Sequence, residues 1–213
     1  MKPRLVICDL DGTLIGGSSE KELLLALFRE RALSPGKLIG FLYAYLAHPV
    51  RTLRGGRAWN RTYLAGLSPV TVNDTAVRLA RRLSGAVRPE VAGRLREYRG
   101  AGAHLVLLSA SLEPLVREMA SMNGFDSFRG SSPEVSRGCL TGRVSGLRPW
   151  GTAKVVVAGE IMRDAGVTPL ETLALGDSYS DRHLLTMCAA AVAVHPDVRL
   201  KALAKKNGWT VLE

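Results

Sequence analysis

The chain has 213 residues, of which 46% are hydrophobic and 6% aromatic, as expected for one globular unit with or without an insertion. It contains no apolar run near the about 20 residues that span a bilayer, and residues 1–4 lead straight into a predicted strand, so no secretory leader is expected. The net charge of +10 favours anionic partners, yet no nucleic-acid-binding module is recognisable, and nucleic acid is not expected as a partner.

The first predicted element is a buried strand, the apolar run at residues 5–8. It ends on two carboxylates two positions apart, Asp9 and Asp11, which enter a turn at Gly12. Carboxylates this close repel each other, so they require different protonation states or a neutralising cation. In α/β proteins such strand ends, at the carboxyl edge of a parallel sheet, are where chemistry is placed.

Residues 16–87 show no strand pattern and are predicted to form an all-helical insertion after the first strand. Helices are predicted over residues 19–33, 37–47, 51–67 and 71–83. Ser19 and Glu22 have the spacing of a capping box at the start of the first helix. The third helix is weakened by Gly55 and Gly56.

A basic stripe is predicted in the third helix of the insertion. It consists of arginines spaced three, three and four residues apart: Arg51, Arg54, Arg57 and Arg61. The stripe has three possible roles that the sequence leaves open. It binds a second anionic group of a substrate, it contacts an acidic membrane surface as a peripheral protein, or it faces solvent.

The remainder of the chain alternates strands and helices. The apolar run at 103–108 ends on Ser109, Ala110 and Ser111, and the run at 173–176 ends on Asp177 and Asp181. Between these two strands, a helix over residues 152–165 carries Lys154. Further helices are predicted at 89–99, 112–122, 180–188 and 196–207, further strands at 191–194 and 210–212, and a hairpin at 134–146. This alternation predicts an α/β fold with a parallel sheet.

Four segments in this order resemble the motifs of the haloacid dehalogenase superfamily, subfamily IB, which contains phosphoserine-phosphatase-like enzymes. They are DLDGTL at residues 9–14, LLSAS at 107–111, Lys154, and GDSYSD at 176–181. The resemblance implies a Rossmann-like parallel sheet flanked by helices. It assigns residues 1–15 and 88–213 to the catalytic core and residues 16–87 to a helical cap.

The resemblance also implies a cytoplasmic, magnesium-dependent phosphomonoester hydrolase that acts on a small phosphorylated metabolite. Asp9 is then the nucleophile that forms an aspartyl-phosphate, and Asp11 is the general acid and base. Ser109, the backbone at Ala110, and Lys154 bind the phosphoryl group.

The implied Mg²⁺ site has oxygen ligands, as this cation prefers. Asp9, the Asp11 carbonyl and Asp177 are its candidate ligands, and Asp181 is expected to support the metal or its waters. In phosphoserine phosphatases an acidic residue and an arginine of the cap bind the amino acid portion of the substrate. Glu20 and Arg54 lie near the corresponding places. Ala110 stands where those enzymes commonly carry glycine, so a generic small phosphate ester is the safer prediction.

Two other functions remain open from the sequence alone. The first is a phosphotransferase or mutase of the same superfamily, which passes the phosphoryl group to a second hydroxyl instead of water. The second is a phosphate-binding regulator without turnover.

Three widely spaced cysteines, Cys8, Cys139 and Cys188, are expected to be reduced thiols. The sequence makes no prediction of oligomeric state.

Overall fold

The computed structural model describes residues 2–34, 36–37, 39–40 and 61–213. Most of the helix expected at 37–47 and of that expected at 51–67 lies outside these residues, as do Arg51, Arg54 and Arg57. Among the described residues, no helix is both long and apolar enough to cross a membrane.

In the described part of the chain, seven strands form one sheet, in the order β4-β3-β2-β1-β5-β6-β7. All neighbours are parallel except β3 and β4, which form an antiparallel hairpin. The strands are β1 Leu5–Cys8, β2 His104–Leu112, β3 Ser127–Ser136, β4 Cys139–Ser145, β5 Thr172–Gly176, β6 Ala190–Val194 and β7 Thr210–Leu212. The predicted α/β class and parallel sheet are therefore confirmed.

Helices cover both faces of the sheet. Those described are α1 Ser19–Arg29, α2 Pro69–Ser84, α3 Pro89–Gly100, α4 Glu113–Met122, α5 Thr152–Asp164, α6 Arg182–Met187 and α7 Val198–Asn207. Side chains alternate along β1, so Val6 and Cys8 face one hydrophobic cluster while Leu5 and Ile7 face another. The first cluster also contains residues of α1, α2 and α4, and the second contains residues of α5, α6 and α7.

The helices α1 and α2 belong to the predicted insertion, but they do not form a separate core. Leu23 of α1 and Leu79 of α2 lie in the same hydrophobic cluster as Leu107 of β2 and Met119 of α4. These two helices are thus held against the sheet by apolar burial. The division into a core and a cap at residues 16–87 stays a prediction.

Three local expectations differ from the structure. Helix α1 is capped by Ser18, whose side chain accepts a hydrogen bond from the Lys21 amide, so the predicted capping box of Ser19 and Glu22 is wrong. Strand β2 continues to Leu112 rather than ending before Ser109, because its last residue pairs with Ser131 of β3. The end of the third predicted helix is instead a 3₁₀ turn, Thr62–Leu64.

Candidate active site

Three neighbouring strands deliver the predicted site residues to one edge of the sheet. The central strand β1 lies between β2 and β5, with Cys8 beside Leu107 and Leu175. Asp9 comes directly after Cys8, and Ser109 and Asp177 each come two residues after the partners of Cys8. After β1 the chain adds β2, β3 and β4 on one side, and it then crosses over to place β5 on the other side of β1. Such a reversal of strand order opens a crevice at the carboxyl ends of parallel strands.

Lys154 lies between two carboxylates. Its Nζ donates to Oδ1 of Asp9 at 2.7 Å and to Oδ1 of Asp181 at 2.6 Å. All three side chains are buried. Burial lowers the pKa of Lys154, but the carboxylates of Asp181 and Asp9 outweigh it and hold the pKa above its ordinary value. The ammonium group therefore remains charged and fixes the orientation of Asp9.

Carboxylates of Asp9, Asp177 and Asp181 form an acidic cluster in which one oxygen of each lies within 4.8 Å of the others. Burial, followed by the charge of Asp181, raises the pKa of Asp177 to about 6. Within the described part of the chain, Lys154 is the cation that contacts this cluster, through Asp9 and Asp181, and its single charge does not balance three carboxylates. Three oxygen ligands with excess negative charge fit a hard divalent cation.

Gly12 allows this cluster to assemble. It has φ of +82°, a conformation that L side chains rarely adopt, and a Cβ at this position would overlap the carboxylate of Asp177. The turn after Asp11 therefore lets Asp177 approach the backbone closely.

Both carboxylate oxygens of Asp11 accept hydrogen bonds. The Ser19 amide donates to Oδ1 and the Ser111 hydroxyl donates to Oδ2, each at 2.7 Å. Burial raises the pKa of Asp11, and the hydrogen bonds from Ser111 and Ser19 partly oppose this rise. A raised pKa favours the protonated carboxyl that a general acid needs.

The end of β2, from Ser109 to Leu112, is held by several hydrogen bonds. The Ser111 amide donates to Oγ of Ser109 at 3.1 Å, so the Ser109 hydroxyl proton is available to another acceptor. The Ala110 carbonyl accepts from Arg61 Nη2 and Ser131 Oγ, each at 2.7 Å. This end of β2 is consequently ordered by contacts from two other parts of the chain.

Glu20 and Arg61 form a bidentate ion pair beside the end of β2. Arg61 Nε and Nη2 lie 2.6 Å and 2.9 Å from the two carboxylate oxygens of Glu20. Arg61 is completely buried and precedes a 3₁₀ turn, so the prediction that it belongs to a basic stripe on a helix is wrong. Its guanidinium turns inward because Glu20 and the Ala110 carbonyl both accept its hydrogen bonds. The other three arginines of the stripe, including the substrate-binding candidate Arg54, lie outside the described residues.

These groups surround one cavity of about 310 Å³. The predicted site residues that line it are Asp9, Asp11, Glu20, Ser109, Ala110, Lys154, Asp177 and Asp181. The cavity is also lined by Ser111, Arg148 and Trp150, which the sequence analysis did not assign to the site. Ser111 was detectable, because residues two apart on a strand face the same side. Arg148 and Trp150 belong to no motif that would have identified them.

Comparisons with known proteins give one family assignment. A sequence model of the haloacid dehalogenase-like hydrolases matches residues 6–186. Phosphoserine phosphatase SerB1 of Mycobacterium tuberculosis is 26% identical over 210 residues, an alignment that covers 95% of this chain and 68% of SerB1.

Solved structures share the fold. A protein of unknown function from Bordetella pertussis superposes with a TM-score of 0.84 at 23% identity, covering 100% of this chain and 99% of its own. A substrate-bound phosphoserine phosphatase superposes with a TM-score of 0.69 at 18% identity, covering 100% of this chain and 94% of its own. At these identities the likeness concerns the fold alone.

Proposed function

This chain belongs to the haloacid dehalogenase-like hydrolase family, and from that premise we propose that it is a magnesium-dependent phosphomonoester hydrolase acting through an aspartyl-phosphate. One observation carries the proposal. A single cavity contains an Asp9 oriented by Lys154, a separate Asp11 with a raised pKa, and a cluster of three carboxylates. These are a nucleophile, an acid–base group and a cation site.

In the first step an oxygen of Asp9 attacks phosphorus, and the bond from phosphorus to the ester oxygen breaks. The Asp11 carboxyl transfers its proton to the departing oxygen, which leaves as an alcohol, and Asp11 becomes a carboxylate. The Ser109 hydroxyl and the Lys154 ammonium donate to the phosphoryl oxygens, whose charge must be stabilised in the transition state.

In the second step water attacks the phosphorus of the aspartyl-phosphate. Asp11 accepts a proton from that water, and the bond between phosphorus and the Asp9 oxygen breaks. The products are inorganic phosphate, an ionised Asp9 and a protonated Asp11, so the enzyme returns to its initial state.

Asp9, Asp177 and the Asp11 carbonyl would hold Mg²⁺, with Asp181 supporting the site. Bound there, the cation supplies charge stabilisation to the phosphoryl oxygens. Asp181 has a second role in this proposal, because its contact with Lys154 fixes the ammonium group beside Asp9.

The substrate is a small phosphate ester whose alcohol portion occupies the same cavity as its phosphoryl group. Glu20, which lines this cavity and pairs with Arg61, is the described candidate for contact with a polar, phosphoserine-like alcohol. The proposal places the protein in the cytoplasm, which agrees with the free thiols of Cys8, Cys139 and Cys188.

The test is a panel of phosphorylated metabolites and p-nitrophenyl phosphate, assayed with and without Mg²⁺. We expect Asp9→Asn to abolish turnover and the trapping of a phosphoenzyme, because an amide does not replace the carboxylate nucleophile. Added alcohols distinguish hydrolysis from phosphoryl transfer through the yield of new ester. Wild-type turnover in purified Asp9→Asn protein would overturn the mechanism.

A further inference from the structure

Two buried serine hydroxyls join Asp11 in a closed ring of hydrogen bonds. The Ser111 hydroxyl donates to Oδ2 of Asp11, the Ser19 hydroxyl donates to Oγ of Ser111, and the Ser19 amide donates to Oδ1 of Asp11. Each of these three distances is 2.7 Å. Ser19 and Ser111 have 0% and 1% of their surface exposed, so water does not compete for these bonds.

The ring joins parts of the molecule that are distant in sequence. Ser19 is the first residue of α1, and Ser111 lies near the end of β2. Because both carboxylate oxygens of Asp11 are engaged, the side chain is held in one rotamer by partners from two separate elements. Ser111 also donates its amide proton to Oγ of Ser109, so one residue connects the acid–base group with the Ser109 hydroxyl.

Resting on the proposed function, we propose that Ser111 and Ser19 are positioning residues that hold the Asp11 carboxyl in line with the departing oxygen of the substrate. Neither serine has to touch the ester for this role. In the step they assist, the bond from phosphorus to the ester oxygen breaks while the Asp11 proton moves to that oxygen. A carboxyl free to rotate would deliver the proton less often in the correct geometry.

The consequence depends on the basicity of the departing oxygen. p-Nitrophenoxide leaves readily without a proton, whereas phenoxide is more basic and depends more on acid assistance. Phenyl phosphate and p-nitrophenyl phosphate differ little in shape near the phosphorus. The ratio of their kcat/KM values therefore measures how well Asp11 acts as an acid, since kcat/KM covers the steps up to the loss of the alcohol.

The experiment compares Ser111→Ala with the wild type on these two esters at saturating Mg²⁺. We expect kcat/KM for phenyl phosphate to fall about tenfold more than kcat/KM for p-nitrophenyl phosphate. Ser111→Thr, which keeps the hydroxyl, restores the wild-type ratio. Ser19→Ala removes only the more distant hydroxyl and keeps the amide donor, so it shifts the ratio in the same direction by a smaller factor.

Ser131→Ala is the matched control. Ser131 is also a buried serine beside the end of β2, but its hydroxyl donates to the Ala110 carbonyl instead of Asp11. We expect it to change both esters by the same factor. Thermal denaturation checks that each variant is folded, and Ser19→Ala decides the question if Ser111→Ala does not fold.

An unchanged ratio in folded Ser111→Ala, or in Ser19→Ala where that variant decides, would overturn the positioning role. A ratio shift in Ser131→Ala as large as that in Ser111→Ala would also overturn it, because any disturbance of the end of β2 would then produce the same effect. If the wild type hydrolyses neither ester nor any metabolite of the panel, the proposed function itself fails. That outcome is distinct from a failure of the two serines.

Discussion

The two ends of the parallel sheet carry similar charged groups in opposite environments. At the carboxyl end, Lys154 and Asp181 pair with only 4% and 2% of their side-chain surface exposed. At the amino end, Arg4 and Glu171 pair at 2.7 Å with 60% and 34% exposed. Burial raises the pKa of Asp177 to about 6 at the first end, whereas the Arg4 hydrogen bond lowers the pKa of Glu171 to about 2 at the second.

The difference shows that burial, more than the presence of an ion pair, distinguishes the end of the sheet at which the active site is proposed. An exposed carboxylate keeps most of its hydration and gains a partner, so its charged form is favoured. A buried carboxylate loses hydration, and neighbouring carboxylates add repulsion. Uncompensated buried charge is costly for folding, and it is retained where a cation or a transition state is stabilised by it.

The largest effect is expected from Lys154→Met. This change leaves Asp9 and Asp181 buried without their cation, and removing one partner of a buried pair costs about 3–5 kcal/mol. Turnover should fall by about 10²–10³-fold, because Lys154 also stabilises charge on the phosphoryl group. Chemical denaturation and kcat measurements test both effects.

Lys201→Met is the control for that substitution. Lys201 pairs with Glu213 at 2.5 Å, but both side chains are more than half exposed. We expect neither the denaturation midpoint nor kcat to change measurably. Equal effects of the two lysine substitutions would contradict the importance assigned to burial.

A pH-dependent effect of intermediate size is expected for Mg²⁺ binding. Since the pKa of Asp177 is about 6 without metal, a proton occupies this carboxylate at lower pH and must leave before the cation binds. The apparent dissociation constant should rise by about tenfold for each pH unit below 6 and level off above it. Calorimetric titration of the protein with Mg²⁺ alone measures this dependence.

Two variants sharpen the titration experiment. Asp177→Ala should weaken Mg²⁺ binding and remove most of the pH dependence of the dissociation constant. Glu171→Gln changes an exposed acidic residue at the other end of the sheet and should leave Mg²⁺ affinity as in the wild type. An affinity that does not vary with pH in the wild type would contradict the raised pKa of Asp177. An unchanged affinity in Asp177→Ala would contradict its role as a ligand.

The smallest effect is expected from Arg4→Met at the amino end. The ion pair that it removes is exposed and far from the cavity, so kcat and the denaturation midpoint should stay close to those of the wild type. The pKa of Glu171 should return toward its ordinary value, which NMR titration of the carboxyl measures. A large loss of activity would contradict the contrast between the two ends.

The sequence was most reliable where local patterns are sufficient. The apolar runs before Asp9, Ser109 and Asp177 correctly located three strands, because burial of a short apolar segment depends mainly on its own composition. The order of the motifs led to the family, which the match over residues 6–186 confirms. The hairpin and the last strand were also located, although β3 begins at Ser127, before the predicted start.

Arg61 illustrates where sequence reasoning was insufficient. Its spacing from other arginines predicted a stripe on a helix, yet it is buried against Glu20, which is 41 residues away in sequence. A charged residue is buried only where its hydrogen bonds are satisfied, and helix periodicity contains no information about such a distant partner. The predicted cap at Ser19 failed for a similar reason. Its hydroxyl bonds Ser111, which is 92 residues away, and Ser18 caps the helix instead.

The sequence by itself determined which groups reach the carboxyl end of the sheet, because strand ends follow from local hydrophobicity and turn residues. Only the tertiary structure decided which of these groups meet. Lys154 lies between Asp9 and Asp181, which are 145 and 27 residues away, and Ser19 contacts Ser111 across 92 residues. Such contacts depend on how α1 and α5 pack against the sheet, and this packing is set by the hydrophobic core of the whole chain rather than by any one segment.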